Sequence, residues 1–517
     1  DREALERQQI FLAPHGMEQF HLEIQNLYAA LAQPTEKLTV SYPVSDGKGA
    51  EKRPSFVIGR IARLLPSISV ETESADKEYR LSAKSTALEY AGEHIGGALW
   101  QYFEGQGDAE RALAAMKDAS RYTRGHLSRD AVHALYGGAV TLSASRMDMA
   151  RSCHFAYFMR YGLKARERTG AGFDAPQIGT FVHDVMEHTL RQAKECGGLH
   201  TLSKDKLHAL VRASIEEYID RVLPDLSEKS ARFRYLFNRL CATVERIMDE
   251  VSEELQSSDF EPLAFELEFG ADGQLPAITI REENGTARVV GKVDRVDGWL
   301  HDGKLYLRVV DYKTGKKSFD LAELRYGLGL QMLLYLFTLK EEGQMLFGGH
   351  EIVPAGVLYT PAREPMLRCA RDTEPEKIEK ALKKELRRSG MVLEDPAVLQ
   401  AMEHSAIESP CYLPIAVKRD GAVTGSLASA EQLGKLSKYV DHILHEITQE
   451  VFAGNIDADP YARTPQQSAC TYCEFASACH FENGCGSDRM EYIKATKNDE
   501  FWQYIDEVNG EGAHENG

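Results

Sequence analysis

The chain has 517 residues, 43% of them apolar and 27% charged, a balance that excludes a disordered or collagenous polymer and leaves room for two or three domains with ample cores. No signal peptide and no uninterrupted apolar run of bilayer length is present, and nine cysteines are too sparse for a disulfide scaffold, so a soluble protein of the reducing cytoplasm is the expectation. The net charge of −18 excludes a globally basic nucleic-acid binder, and any grip on phosphate has to rest on local basic patches or on a partner.

Near the N-terminus, Leu38 to Tyr42 reads as an apolar strand followed by a Pro- and Gly-marked loop and a helix. No G-x-x-x-x-G-K-[ST] occurs anywhere, so nothing can cradle ATP phosphates in the P-loop manner. From about Thr72 to Leu135 the pattern is a mostly helical connection. The stretch from Thr141 to Arg168 then places Ser145 as a helix N-cap with Asp148 three residues on. It carries Cys153 into an aromatic-rich helix beside Arg160, Lys164, Arg166 and Arg168. Gly179-Thr180-Phe181-Val182-His183 opens a further helical run in which His183 and Glu187 share a face, although a lone helical histidine is ordinarily structural or solvated. PLAFELEFG follows, with Glu266 and Glu268 alternating in a strand.

The most specific local signal is RVVGKVDRVDGWLHDGKLYLRVVDYK, Arg288 to Lys313, two apolar runs around His301-Asp302-Gly303-Lys304. An Asp-Gly pair favours a two-residue hairpin turn, and with that turn paired positions sum to 605, so Asp294 lies opposite Asp311. Side chains alternate along a strand, so Lys313 projects from the same face as Asp311 while Tyr312 points away. Two carboxylates beside an ammonium suit phosphodiester hydrolysis. The acids can hold Mg²⁺ or Mn²⁺ through hard oxygen ligands, and the lysine can act on the water or on phosphate charge. The plain alternative is an exposed hairpin whose Asp and Lys merely pair.

Beyond the hairpin, Lys316 and Lys317 form the preferred basic patch for DNA. LAELRYGLGLQMLLYLFTLK after Asp320 reads as one helix that places Gln331 and Tyr335 on one face, where both can contact a phosphate backbone. EPEKIEKALKKELRRSG carries Lys383, Lys384, Arg387 and Arg388, but its intercalated glutamates mark a solvated helix rather than a DNA contact. Cys411 to Tyr461 reads as strands around Asp420-Gly421 and a helix from about Ser429 to Phe452. Cys470-x2-Cys473-x5-Cys479 has chelating spacing after Pro465. On spacing alone zinc leads, with His480 or Cys485 as a fourth ligand. Cys196, Cys241, Cys369, Cys411 and Cys485 read as buried thiols.

Taken together, the Cys153 stretch, the Gly179/His183 entry, the acidic strand, Asp294, Asp311-Tyr312-Lys313, Gln331 and the C-terminal cysteine triplet resemble RecB-like nucleases of the PD-(D/E)XK superfamily. More narrowly, they resemble the AddB-type component of AddAB helicase-nucleases. The resemblance implies an α/β restriction-endonuclease-like core, a mixed sheet flanked by helices. It makes His183 a third metal ligand beside Asp294 and Asp311, favours Glu266 over Glu268 as a fourth, and assigns Cys153, Cys470, Cys473 and Cys479 to a [4Fe-4S] cluster. One departure stands out: the family often has proline after the first cluster cysteine, where this chain has His154.

By the same resemblance, residues 1–70 are the end of a degenerate helicase-like domain and 71–140 a helical connection. Residues 141–490 are the nuclease domain with its cluster, and 491–517 a tail. Ala32-Gln33-Pro34-Thr35-Glu36-Lys37 lacks the arginine that active helicases supply before such a strand, which argues against ATP hydrolysis here. A chain that starts at Asp1, with the resemblance beginning in mid-domain, is expected to be the C-terminal part of a longer subunit. The implied activity is 5′→3′ exonuclease action on single-stranded DNA, as the heterodimeric partner of an AddA-type helicase-nuclease subunit, processing double-strand ends for homologous recombination. The alternatives are a catalytically silent, cluster-bearing scaffold that holds DNA for such a partner, and a zinc-stabilised interaction protein.

Overall fold

The computed structural model describes residues 2–7, 13, 15–45, 51–70, 80–121, 123–166, 175–270, 273–370, 372–464 and 466–510. Arg168, Pro465, positions 71–79 of the expected helical connection and 511–517 of the expected tail lie outside the described residues. The chain divides into two compact units, Asp1–Ala114 and Ala115–Gly517. In the first, the described residues form helices at Gly16–Ala32, Phe56–Leu64, Lys84–Glu93 and Ala98–Phe103. The expected strand at Leu38 to Tyr42 is not formed. A strand needs a ladder partner, and among the described residues none is paired with this run. Nor is any described helix long and apolar enough to cross a membrane.

The second unit is built on a six-stranded mixed sheet. Its strands are β1 (Glu261–Phe269), β2 (Gly291–His301), β3 (Lys304–Lys313), β4 (Glu351–Pro361), β5 (Ser389–Leu393) and β6 (Leu427–Ala428), lying side by side in chain order. β3 runs parallel to β4, and β5 to β6; the other neighbours are antiparallel. The β2–β3 register is the one expected from the turn, with Arg295 opposite Val310 and His301 opposite Lys304. Asp302 at φ 49° and Gly303 at φ 76° supply the two left-handed positions that a type I′ turn requires. β3 is buried on both faces through most of its length, which is what LYLRVVDY demands of a central strand.

Helices cover the sheet. They include α1 (Ala144–Ser152), α2 (Ala175–Glu195), α3 (Lys204–Val222), α4 (Ala231–Gln256), α5 (Leu321–Arg325), α6 (Gln331–Glu342) and α7 (Ala430–Phe452). In α2 the stripe Phe181, Val182, Val185, Met186, Leu190 and Ala193 is buried at helical spacing. α7 begins at Ser429 in a capping box with Gln432, matching the expected start. Two expectations are corrected. The single helix after Asp320 is two, because the chain breaks at Tyr326 to Leu330, where Gly327 (φ 74°) and Gly329 (φ 69°) take left-handed conformations. α1 is entered at Ser143 rather than Ser145, and Cys153 ends it in an extended conformation (φ −176°, ψ 122°) before a short turn of helix at His154–Tyr157.

Behind the hairpin lies a fully buried ionic cluster. Arg295 and Arg308 both donate to Asp297 Oδ2, at 3.0 and 2.9 Å, and Arg295 also reaches the Tyr312 hydroxyl at 2.6 Å. Arg308 and Arg388 converge on Glu254 of α4, at 3.4 and 2.5 Å. This corrects Arg388, which is 3% exposed and held inside rather than displayed on a solvated helix. Burial works against ionising Glu254, but Arg388, Arg308 and Arg295 outweigh it and hold its carboxyl at about 2. Removing one member of such a cluster strands buried charge. Glu254→Ala is expected to destabilise the unit by about 3–5 kcal/mol in chemical denaturation, whereas a loss under about 1 kcal/mol would show the cluster to be energetically neutral.

Candidate functional site

The registers of β1, β2 and β3 line up three carboxylates across adjacent strands. Asp294 faces Asp311 through the hairpin, and the pairs Phe265–Arg295 and Leu267–Val293 bracket Glu266 opposite Asp294 on the other side. Glu266 sits in the middle of its strand at φ 48°, a left-handed conformation that costs an ordinary residue about 1–3 kcal/mol and is retained only where the surroundings enforce it. His183 projects from α2 onto the same spot. Its Nε2 lies 2.9 Å from the Tyr312 carbonyl, an oxygen that can only accept, so Nε2 carries the proton and Nδ1 faces the acids. Nδ1 is 3.4 Å from Asp294 Oδ2 and 4.0 Å from Glu266 Oε1.

One ligand atom each from His183, Glu266 and Asp294 lie within 4.8 Å of one another, a group able to hold a cation. Asp311, 3% exposed, borders it; its Oδ2 is buried without a hydrogen-bond partner and meets only the Lys313 ammonium at 2.6 Å. An orphaned carboxylate oxygen beside three convergent donors fits a divalent ion with oxygen preference. Asp294 Oδ2 also accepts from the Tyr312 backbone N–H at 2.8 Å, which fixes its rotamer. Burial alone would lower the His183 pKa, but the hydrogen bond and charge of Asp294, helped by the Tyr312 carbonyl and Asp311, hold it at about 9. With no cation bound, an imidazolium therefore neutralises part of the acid group.

Sequence reasoning missed Lys292, which lies two residues before Asp294 and pairs with Glu266 at 2.6 Å and Glu268 at 3.5 Å. The alternation from Asp294 was available to find it. Glu187, expected beside His183, is paired with Arg191 at 2.7 Å. Gln331 begins α6 and donates to the Tyr335 hydroxyl at 3.2 Å; Tyr335 is buried, so it orients Gln331 at the edge of a cleft of about 610 Å³. Gly291 makes this possible, since a Cβ there would come 2.5 Å from both Tyr335 and Phe269. Lys316 and Lys317 are exposed just beyond β3, Lys317 lying 3.8 Å from Glu323.

Cys153, Cys470, Cys473 and Cys479 line one cavity of about 670 Å³ together with His480. Several contacts bring the two distant segments together. The Phe155 N–H donates to the Asp457 carbonyl at 2.9 Å, Arg160 pairs with Glu474 at 3.0 Å, and Arg124 reaches the Cys479 carbonyl at 2.8 Å while gripping Asp488. His154 is taken up by Asp459 at 2.6 Å and Glu450 at 3.3 Å. Burial pushes the Cys153 thiol up to about 12, so it becomes a thiolate only against a bound cationic centre. Of the remaining cysteines, Cys196, Cys369 and Cys485 are exposed and Cys241 and Cys411 half-buried, which corrects their reading as buried thiols.

Burial and Asp294 push the Asp311 carboxyl up to about 6, against the opposing pull of Lys313 and His183. A raised carboxyl pKa means that the native chain binds the proton more tightly than the unfolded chain, where aspartate titrates near ~3.9. The stabilisation is thus full below about pH 4 and is lost as pH rises through about 6. Asp311→Asn is expected to raise the melting temperature of the metal-free protein at neutral pH and to flatten that part of the stability profile. A lower melting temperature at neutral pH would contradict this.

A family model described as the PD-(D/E)XK nuclease superfamily matches residues 141–480. Among curated proteins, the chain is 30% identical over 532 residues to the second, AddB-type subunit of the ATP-dependent helicase/deoxyribonuclease of Ruminiclostridium cellulolyticum, covering 98% of this chain and 46% of that protein. It is 31% identical over 503 residues to the protein of the same name from Acetivibrio thermocellus, covering 93% and 44%, and 30% identical over 517 residues to that of Caldanaerobacter subterraneus subsp. tengcongensis, covering 95% and 44%. The chain thus spans somewhat under half the length of these relatives. With the family match reaching from the strand before α1 to the end of the cysteine triplet, and the acids, histidine and lysine gathered on one sheet face within it, the chain belongs to the PD-(D/E)XK nuclease superfamily.

Proposed function

We propose that this chain is the Mg²⁺- or Mn²⁺-dependent exonuclease module of an ATP-dependent helicase-nuclease, acting on single-stranded DNA in the 5′→3′ direction. In this reading it works with an AddA-type subunit in the cytoplasm on double-strand ends destined for homologous recombination. The observation that carries the reading is the row Glu266, Asp294 and Asp311 on three neighbouring strands, with His183 above it and Lys313 beside it. The names of the similar subunits support the helicase partner and the DNA substrate. Residues 1–70 are read as the end of a degenerate helicase-like domain, without ATP hydrolysis of their own.

His183, Asp294, Asp311 and Glu266 would hold the metal, which when bound supplies Lewis-acid activation of phosphate and water. Lys313, held by Asp311, places an ammonium where the attacking water and the developing phosphate charge meet. Gln331, oriented by Tyr335, contacts the phosphate backbone at the cleft, and Lys316 and Lys317 guide the strand as it leaves β3. A purely binding scaffold gains nothing from carboxylates aimed at phosphate, which disfavours the silent alternative.

The four cysteines are assigned to a [4Fe-4S] cluster. A single zinc with ~2.3 Å bonds to sulfur draws thiolates to about 3.8 Å of one another. Among the described residues no three of these thiols gather within 4.8 Å, and their cavity of about 670 Å³ suits a larger centre. Cys470→Ala is expected to lower thermal stability and to reduce iron and acid-labile sulfide in anaerobically purified protein. Full iron content with unchanged stability, or zinc without sulfide in the parent chain, would refute the cluster.

End-labelled single-stranded DNA with Mg²⁺ tests the hydrolytic reading. Asp311→Ala at matched cluster content should lower cleavage at least ~10³-fold, as expected when a metal-holding acid is lost, and the label position reports polarity. Equal cleavage by both proteins would move the active site elsewhere, and no cleavage by either, even with the helicase partner added, would favour the scaffold.

A further inference from the structure

We propose that Lys292 is the resident counter-ion of the acid row, and that it turns to a DNA phosphate next to the scissile one when a divalent ion takes Glu266. The inference rests on the hydrolytic reading and adds to it a residue outside the expected set. Lys292 stands two positions from Asp294 on β2, on the same face. Its ammonium is 2.6 Å from Glu266 Oε2 and 3.5 Å from Glu268 Oε1, and the side chain is 48% exposed, so it is held by charge rather than by packing.

Two cavities meet at this side chain. One, of about 330 Å³, is lined by Gly179, Thr180, His183, Glu187, Glu266 and Lys292 and contains the cation-holding group. The other is the cleft of about 610 Å³ that holds Gln331, Tyr335, Ser143 and Ser145, and Lys292 borders it as well. A flexible four-carbon stem with three donors can serve either cavity from one backbone position. Glu266 cannot serve a metal and Lys292 together, because both demand the same carboxylate oxygens.

A divalent ion at Glu266 adds positive charge within a few ångströms of the ammonium, so the lysine is pushed toward the cleft. Glu268 also lines that cleft, and a phosphate there needs a cation to offset it; Lys292 is the cation already paired with Glu268. Gln331 supplies an amide donor at the same edge, without charge. Lys313 is committed to Asp311 and is separate from this exchange.

The test is Mn²⁺ titration calorimetry on this chain, on Lys292→Met and on Asp294→Asn, together with binding of a fluorescent single-stranded oligonucleotide in Ca²⁺. Removing a competing unit charge should tighten Mn²⁺ binding by Lys292→Met about tenfold. It should also weaken oligonucleotide binding several-fold and reduce its salt slope by about one, with Lys292→Arg restoring the DNA affinity. Unchanged or weaker Mn²⁺ binding by Lys292→Met, with Asp294→Asn losing the ion, overturns the counter-ion role and leaves the metal site intact. Unchanged oligonucleotide binding overturns the phosphate role. If the parent chain binds no Mn²⁺, or Asp294→Asn binds it equally well, the hydrolytic reading falls and this inference with it.

Discussion

The register of one hairpin governs this molecule. Because side chains alternate, the pairing that sets Asp294 opposite Asp311 also sends Arg295, Asp297, Arg308 and Tyr312 to the opposite face, where they are buried. A slip of one residue would exchange the faces, driving the acids into the arginine cluster's place and the arginines into the open site. Both faces are charged, and each finds its partners in only one register: Glu254 and Arg388 behind, His183, Lys292 and Lys313 in front. The type I′ turn at Asp302-Gly303 fixes the same answer locally.

That arrangement also reconciles a chain of net charge −18 with phosphate chemistry. Repulsion of a DNA strand by the acid row is offset at short range by cations already paired with those acids. Lys292 serves Glu266, Lys313 serves Asp311, and the His183 imidazolium serves Asp294. The site in its metal-free form is a set of ion pairs whose cationic members are released or reoriented as a metal binds. Burial keeps these interactions strong, because the low-dielectric surroundings that raise the Asp311 pKa also reduce the screening of its pairing with Lys313.

Much of this was legible from sequence where the signal is local. The hairpin, the acid pair, the outward Tyr312, the His183 helix and the Ser429 start of the long helix all follow from turn chemistry, alternation and capping, and each depends on residues within one or two turns of the chain. What sequence reasoning missed depends on partners far away in the chain. Arg388 sits among lysines and glutamates and reads as solvated, yet Glu254, 134 residues earlier, draws it inside. The apolar run 321–340 reads as one helix because helical periodicity survives two glycines, but Gly327 packs under Arg151, where a Cβ would come 2.8 Å from the guanidinium Nε. Leu38 to Tyr42 has strand composition, and composition does not supply a partner strand.

The same distant contacts tie the cysteine cavity to the hydrolytic cleft. α1 carries Asp148 on the way to Cys153, and the Asp148 carboxylate accepts from the Gly329 N–H at 2.9 Å. Arg151, one turn further along, lies against Gly327 and is anchored by Glu446 and Glu450 of α7. The turn from Tyr326 to Leu330 is therefore held from the cysteine side at two points, and it sets where α6 begins and so where Gln331 faces the cleft. A rearrangement at Cys153 that moves α1 removes the partner of a backbone N–H two residues before Gln331. The coupling needs no long-range wire: a nine-residue helix has the cavity at one end and the turn along its side.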